Sequence, residues 1–304
     1  MAFFANLFGY LLNFIYSTIG NYGWAIIVFT IVIKLIMIPL SIKQQKSLKK
    51  NNKLQAKMKE IQFKYKNDPE RLNQATMQLY KEENVSPFSG CFSAIIQLVL
   101  LISIFYLVRS PLTHMKKIDT NVVNNYYEIL KEENLSTDSG YPEIEIIRET
   151  ETLKNIENEK INLEEIQKIE TNMEFLGLDL SQIPSKNTSD WRVFIIPVLY
   201  VVVSFISMKI SLGTQNKKKI EDKNLLNEDN SKSEDNSNQD EKEQLGDMQD
   251  VMEQTNKNMS MVFPIMYLSI AIIAPLGLAL YWLVNSLLMI AERLILNKVI
   301  KDDE

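Results

Sequence analysis

The stretch Gly23 to Ile42, GWAIIVFTIVIKLIMIPLSI, decides the fold of this chain. It is about 20 residues long, and at about 1.5 Å per residue a helix of that length crosses the roughly 30 Å hydrocarbon core of a bilayer. Lys34 is its only charged residue. We therefore predict a transmembrane helix that carries one cation near its middle.

The depth of Lys34 makes it a candidate functional residue. An ammonium at the centre of a bilayer costs about 2.5 to 3.5 kcal/mol on insertion scales. One interpretation is that Lys34 extends its side chain to the nearer interface. Lys43, at the end of the stretch, is about nine residues or roughly 13 Å away, about twice the reach of a lysine side chain. This distance favours the other interpretation, in which Lys34 faces a water-filled cavity or a polar partner in a helix bundle.

Composition and motifs exclude several classes of protein. The 304 residues are 46% hydrophobic and 23% charged, with a net charge of −5. A single Cys excludes an intramolecular disulfide, and a single His leaves no His/Cys cluster for zinc. The sequence has no glycine-rich phosphate loop, no G-x-S-x-G elbow and no H-E-x-x-H motif. We therefore predict no enzymatic activity, no metal site and no cofactor.

The segments around the first span define its orientation. Apolar residues at helical spacing in residues 1–20 predict an interfacial helix or, equally well, a hydrophobic helix packed on the bundle. After the span at 23–42, residues 43–90 hold 11 Lys+Arg against 5 Asp+Glu. By the positive-inside rule this segment is cytoplasmic and the N-terminus is outside.

Residues 43–90 also carry the pattern of a helical hairpin. Two apolar stripes flank Asn67-Asp68-Pro69-Glu70, which supplies an N-cap and a Pro at the first helical position. The remaining faces are basic. They are either a solvated surface that only fixes the topology, or a contact surface for anionic lipid headgroups or another cytoplasmic partner. The candidate contact residues are Lys49, Lys50, Lys53 and Lys57.

Four further spans complete the prediction. They lie at 91–109, 191–212, 259–274 and 277–296. Gln97 is the most polar residue of the second span before Arg109 closes it, and a buried amide there either joins two helices or lines a cavity. Ala274-Pro275-Leu276-Gly277 divides the last apolar block into two short helices. The fold class is thus an all-α polytopic membrane protein with five transmembrane helices, N-out and C-in, and a cytoplasmic helical hairpin.

The loops differ sharply in charge. Residues 110–190 hold 8 Lys+Arg and 17 Asp+Glu, which predicts an acidic extracytoplasmic loop of mobile helices rather than a packed domain. Residues 213–258 hold 7 Lys and 12 Asp+Glu among many Asn, Ser and Gln, which predicts a disordered cytoplasmic loop. Residues 297–304 are the cytoplasmic tail. These assignments place the chain in the cell membrane.

Several motifs in this order resemble the YidC-type membrane protein insertase family (the YidC/Oxa/Alb superfamily). Ile38-Pro39-Leu40 follows the single cation of the first span, and Ser86-Pro87-Phe88-Ser89-Gly90-Cys91 ends the hairpin. Phe175 to Leu180, FLGLDL, precedes the third span, and Pro275 to Trp282, PLGLALYW, enters the fifth. The resemblance covers the five spans and the hairpin.

This resemblance implies a mechanism. Family members have a hydrophilic groove that is open to cytoplasm and lipid, in which a positive residue attracts acidic residues of a client helix. Lys34 matches that residue, although the family usually has Arg there; Lys keeps the charge but lacks the planar guanidinium fork. Gln97, Trp282 and Asn285 are weaker candidates for the groove lining. Glu292 stands near a position where relatives tend to carry Gln.

The resemblance also implies the partners. These are nascent membrane protein clients and the lipid bilayer, with a Sec-type translocon and the ribosome as further candidates, and with neither a cofactor nor a specific nucleic acid ligand. The chain ends Lys301-Asp302-Asp303-Glu304, without the basic tail that some relatives use for ribosome binding. A ribosome contact would therefore use the basic hairpin or a loop.

Two other functions fit the same residues. In a small-anion transporter, Lys34 would bind the solute, although transporter folds usually contain repeats with paired broken helices, which five unequal spans do not show. In a membrane scaffold that inserts nothing, Lys34 would be a helix-packing contact. Neutralising Lys34 separates these hypotheses, because an insertase loses client insertion, a transporter loses flux and a scaffold changes little.

Overall fold

The computed structural model describes residues 2–65, 68–83, 89–136, 140–210 and 268–302. This part of the chain is mostly helical. Three of its helices are long and apolar enough to cross a membrane, and two shorter apolar helices cover Phe3–Ile19 and Leu98–Arg109. The three long segments are Tyr22–Ser47, Trp191–Ile210 and Leu276–Leu296. The predicted loop 213–258 and most of the predicted span 259–274 lie outside the described residues.

The elements follow one another in a simple order. They are α1 (Ala2–Ile19), α2 (Tyr22–Lys64), α3 (Pro69–Glu82), α4 (Ser89–Arg109), α5 (Pro111–His114), α6 (Thr120–Glu132), α7 (Pro142–Arg148), α8 (Thr150–Lys154), α9 (Leu163–Ile169), β1 (Glu174–Phe175), β2 (Leu178–Asp179), a 3-10 helix (Trp191–Phe194), α10 (195–210), α11 (268–273) and α12 (Leu276–Asp302). The two strands pair antiparallel, with Glu174 opposite Asp179 and Phe175 opposite Leu178.

The first span and the first arm of the hairpin form one continuous helix. α2 has 43 residues and passes through Pro39 without interruption, so it is about 65 Å long. Its hydrophobicity ends near Ile42, but the Lys- and Gln-rich sequence that follows favours helix, so the helix continues. The hairpin is therefore a direct extension of the first span.

α3 packs back on the second half of α2. Leu54 and Leu79 are buried against each other at this contact, and Met58, Ile61 and Tyr80 pack around them. The side chain of Asp68 accepts a hydrogen bond from the backbone N–H of Arg71 at 3.1 Å, and Pro69 is the first helical residue. The predicted N-cap is thus confirmed.

α1 packs on the bundle through one face. Ala5, Leu12 and Ile15 are buried, and α1 contacts α2, α4 and α5. Gly9 allows this approach, because a Cβ there would lie 1.9 Å from the carbonyl oxygen of His114. The opposite face exposes Phe3, Phe4, Leu7, Tyr10 and Phe14. The apolar outer face suits contact with lipid.

The segment from α5 to α9, named the outer unit after its predicted side of the membrane, is a packed helical unit, and the prediction of mobile helices is wrong. Its helices bury their apolar faces against one another, and this core continues into that of the long helices. The buried residues include Val123, Tyr126, Ile129, Leu130, Ile144, Ile146, Leu153, Ile166 and Ile169. The high charge of the segment was misleading because most of its charged side chains occupy the outer faces.

The β-hairpin at 174–179 joins this outer unit to the first and last long helices. The ring of Phe175 lies over Gly23 and meets the ring of Trp24 edge-on at 5.4 Å. The carbonyls of Leu180 and Gln182 accept hydrogen bonds from the N–H groups of Gly277 and Leu276, each at 2.9 Å. These bonds satisfy two of the unpaired donors at the start of α12.

We predict that Gly23→Val destabilises the protein by about 1–3 kcal/mol, because a Cβ at Gly23 would lie 2.4 Å from the Phe175 ring. Thermal unfolding in detergent measures the change. The control adds the same substitution to Phe175→Gly, which removes both the ring and the Cβ of residue 175, so the further loss of stability should be small. An equal loss in both backgrounds would contradict the steric explanation.

Glu143 is a buried acid at the junction of α5 and α7. Its side chain is 5% exposed, and it accepts hydrogen bonds from the backbone N–H of Thr113 at 3.0 Å and from the Thr113 hydroxyl at 2.6 Å. Burial raises the pKa of this carboxyl above its ordinary 4.5, while the hydrogen bonds from Thr113 oppose that shift. The folded protein therefore holds this proton more tightly than the unfolded chain does.

We predict that the stability which Glu143 contributes is full below pH 4.5, its unfolded pKa, and is lost as the pH rises through its higher folded pKa. Glu143→Gln should remove this dependence, because an amide does not ionise. The measurement is thermal unfolding of both proteins from pH 4 upwards, and the quantity compared is the stability of the wild type minus that of Glu143→Gln. A difference that grows with pH would contradict the sign of the shift.

Candidate functional site

α2, α4 and α12 enclose a small cavity of about 50 Å³, which has room for a few water molecules. Half of its lining residues are polar although three apolar helices form its walls. The polar residues are Thr30, Lys34, Ser41, Gln44, Tyr281 and Asn285, and the apolar ones are Ile33, Met37, Leu40, Leu100, Leu101 and Ile104.

The spacing of the sequence brings these groups together. Thr30, Lys34, Ser41 and Gln44 follow one another at intervals of four, seven and three residues, which places them on one face of α2. On α12, Tyr281, Asn285 and Glu292 are separated by four and seven residues and likewise share a face. Two polar stripes thus face each other where α2 and α12 pack.

Lys34 forms an ion pair across this contact. Its Nζ lies 3.1 Å from Oε2 of Glu292, and the two side chains are 20% and 17% exposed. The two helices begin at the same level, because a Cβ at Gly277 would meet the Tyr22 ring at 3.4 Å. From that level, Lys34 is about 18 Å along α2 and Glu292 about 23 Å along α12. The ammonium of Lys34 therefore reaches a polar partner within the bundle.

The ion pair reduces the cost of both charges. Each group alone, partly buried among apolar helices, would lose most of its hydration without compensation. Paired at hydrogen-bond distance, each supplies the other with an opposite charge in a region of low dielectric constant. Removing either partner is therefore expected to leave an uncompensated charge in the bundle.

The other predicted residues separate into distinct groups. Asn285 lines the cavity beside Lys34. Trp282 is half-buried, and its ring lies 6.0 Å from that of Tyr200 on α10 rather than in the cavity lining. The helix backbone at Gln97 is described, but its side chain lies outside the described residues. The same holds for Lys49, Lys50 and Lys53, whereas Lys57 is exposed and pairs with Glu83.

Several residues of this site are not among those predicted from the sequence. Glu292 stands out there only as a departure from the resembled family, and Thr30, Ser41, Gln44 and Tyr281 are not candidates. Their signal was the polar stripe that each helix carries at intervals of three, four and seven residues, which a search for single charged residues does not detect.

A larger cleft of about 610 Å³ lies in the outer unit. Its two arginines are already paired with carboxylates, Arg148 with Glu149 at 3.1 Å and Arg192 with Asp190 at 2.9 Å. The residues that the structure describes contain no group of three or more His, Cys, Asp or Glu placed to hold a metal ion. We place the candidate site at the cavity of Lys34, because its cation lies in the middle of an apolar helix, where a charge is costly.

Comparison with known proteins points to one family. A family model described as "60Kd inner membrane protein" matches residues 14–303. The membrane protein insertase YidC of Fusobacterium nucleatum is 28% identical over 302 residues, 98% of each chain. YidC of Caldanaerobacter subterraneus is 41% identical over 110 residues, 36% of this chain and 53% of the relative. YidC of Helicobacter pylori is 42% identical over 105 residues, 34% and 19% respectively.

We predict that Lys34 and Glu292 are energetically coupled by about 1–3 kcal/mol, because the pair is largely withdrawn from solvent. Lys34→Met and Glu292→Leu should each destabilise the protein, and the double variant should be more stable than the sum of the two changes implies. Thermal unfolding in detergent gives the four values of the cycle.

The matched control is the pair Lys57–Glu83, whose side chains are 58% and 36% exposed. The same substitutions there should show a coupling of about 1 kcal/mol or less. A coupling at Lys34–Glu292 no larger than in this control would contradict a structural role for the buried pair.

Proposed function

Since this chain belongs to the 60Kd inner membrane protein family, we propose that it helps hydrophobic client helices enter the bilayer through a hydrophilic groove that carries the charge of Lys34. The family consists of membrane protein insertases rather than enzymes, and the chain is a multi-pass protein of the cell membrane. The observation that carries the proposal is a cation in mid-span that lines a polar cavity between α2, α4 and α12.

The mechanism follows from the energetics of the client. A hydrophobic client helix is stabilised when it enters lipid, but the short polar flank that must cross with it is not. Hydroxyl, amide and ammonium groups within the bundle offer this flank hydrogen bonds and an opposite charge on the way. The cavity residues Thr30, Ser41 and Asn285 supply the hydrogen-bonding groups, and Lys34 supplies the positive charge. No nucleotide is needed for a downhill transfer of this kind.

We propose the five-span topology with the N-terminus outside and the C-terminus in the cytoplasm. The span and loop boundaries are those given by the sequence, from the first span at 23–42 to the tail at 297–304. In this topology the acidic unit between 110 and 190 lies outside, and the basic hairpin lies in the cytoplasm. Gln97 and Trp282 are further proposed groove contacts.

The hairpin is the proposed contact surface for anionic lipid headgroups, through Lys49, Lys50, Lys53 and Lys57. Exposure of Lys57 on the described part of this surface supports the proposal. Because α2 is continuous from the span into the hairpin, a contact made there acts directly on the helix that carries Lys34. A ribosome or a Sec-type translocon would be a further partner of the same assembly.

We predict that Lys34→Arg retains insertion of a single-span client with an acidic translocated tail, while Lys34→Met loses it. The reason is that Arg keeps the positive charge and Met keeps only the volume of the side chain. The measurement is protease protection of the client tail in vesicles that contain the purified protein. We expect client insertion by Lys34→Met to fall by about tenfold or more. A tenfold reduction corresponds to the loss of about 1.4 kcal/mol of stabilisation of the client tail as it crosses.

Lys168→Met, at an exposed position in the last turn of α9, is the matched control for the loss of one cation and should change insertion little. Equal insertion by wild type, Lys34→Arg and Lys34→Met would refute the proposed role of the charge. An anion flux through the same vesicles that disappears in Lys34→Met, without client insertion by wild type, would instead identify a transporter.

A further inference from the structure

We propose that Glu292 is the resident counter-ion of Lys34 and that the carboxylate of a client takes its place by exchange. This inference rests on the proposed function, and it concerns how the same site is regulated. Its starting point is the direct contact between Lys34 Nζ and Glu292 Oε2 at 3.1 Å, which joins residues 258 positions apart in the sequence.

The geometry leaves Lys34 able to change partners. An ammonium has three N–H donors, and among the described residues Glu292 is the one that accepts a hydrogen bond from it. Lys34 also lines the cavity between α2, α4 and α12, whereas Glu292 does not. The cation is thus held from one side and presented to the cavity on the other. A client carboxylate that reaches the cavity meets Lys34 before it meets Glu292.

Exchange is energetically easier than binding to a bare cation inside the bundle. Without a counter-ion, Lys34 would carry an uncompensated charge whenever no client is bound, at a considerable cost in free energy. When one carboxylate replaces another at Lys34, the number of ion pairs is unchanged. The displaced Glu292 carboxylate has to be hydrated instead, and its position four residues before the end of the apolar segment at Leu296 places it about 6 Å from that end. The site therefore avoids an unpaired cation in its resting state. It also binds the client weakly, because the client must displace Glu292, and weak binding favours release into lipid.

The exchange makes the site selective for acidic clients. A neutral polar residue such as Asn offers hydrogen bonds but no charge, so it cannot replace the carboxylate at Lys34 without leaving both ions unpaired. A neutral polar segment therefore leaves the Lys34–Glu292 pair in place, whereas an acidic segment competes with Glu292, so Glu292 lowers the affinity for acidic segments alone. Because the pair joins α2 and α12, displacing Glu292 also releases one link between these helices.

The test measures the affinity of a fluorescently labelled client helix in lipid nanodiscs that contain the full chain. Two client peptides differ only by Asp or Asn in the short polar tail. We expect the wild type to bind the Asp peptide better than the Asn peptide. In Glu292→Gln the affinity for the Asp peptide should rise by about fivefold or more, the ratio that corresponds to the coupling predicted for the Lys34–Glu292 pair. The affinity for the Asn peptide should change much less.

Two further variants control for folding and for charge. Glu70→Gln removes one carboxylate from the exposed first turn of α3 and should leave both affinities unchanged. Glu292→Asp keeps the charge on a shorter side chain, so it should give an increase between those of wild type and Glu292→Gln. Thermal unfolding establishes that each variant is folded.

The outcomes are distinguishable. If wild type prefers the Asp peptide and Glu292→Gln binds it no better than Glu70→Gln does, the exchange is refuted while the proposed function stands. If wild type shows no preference for the Asp peptide, the role of Lys34 in the proposed function fails, and the exchange fails with it. Equal tightening of both peptides in Glu292→Gln would also overturn the exchange, because it would indicate a general opening of the bundle.

Discussion

Charge pairing inside an apolar helix bundle is the constraint on which the rest of this structure depends. Lys34 and Glu292 lie on two different long helices, and each alone would be an uncompensated charge at its depth. Their contact requires α2 and α12 to pack side by side in one register, with the polar stripe of each turned toward the other. Smaller polar groups obey the same constraint, since the hydroxyls of Thr30 and Ser103 donate to backbone carbonyls one turn back in their own helices.

The sequence predicts the cation of this ion pair but not the partner that neutralises it. A cation in the middle of an apolar stretch is visible without a structure, and its distance from the interface already favours an internal partner. The identity of that partner is a matter of tertiary register, which no local pattern contains. Glu292 sits close to the end of the predicted span at 277–296, beside Arg293, where a carboxylate is ordinary, so its sequence context does not distinguish it from a surface residue. Local signals such as the Asp68 N-cap need no such information, and they were predicted correctly.

The outer unit shows why charge composition alone predicts its structure wrongly. Acidic residues outnumber basic ones about two to one between 110 and 190, which favours disorder if charge alone is considered. The apolar residues are nevertheless placed at helical spacing in each short helix, and several helices together bury enough of them to form a core. That cooperation depends on α6 to α9 meeting one another and the ends of the long helices, which a window along the chain does not detect.

The links between α2 and α12 differ in kind at their two ends. At the outer end, Phe175 packs into the space above Gly23, and the carbonyls of Leu180 and Gln182 cap the start of α12. These contacts consist of tight packing and backbone hydrogen bonds, which no client group can replace. Further along these two helices, the link is the Lys34–Glu292 ion pair, and a carboxylate from another molecule is chemically equivalent to that of Glu292. The ends of α2 and α12 beside Phe175 are therefore fixed, and under the proposed exchange the two helices would separate only at the level of the ion pair and beyond it.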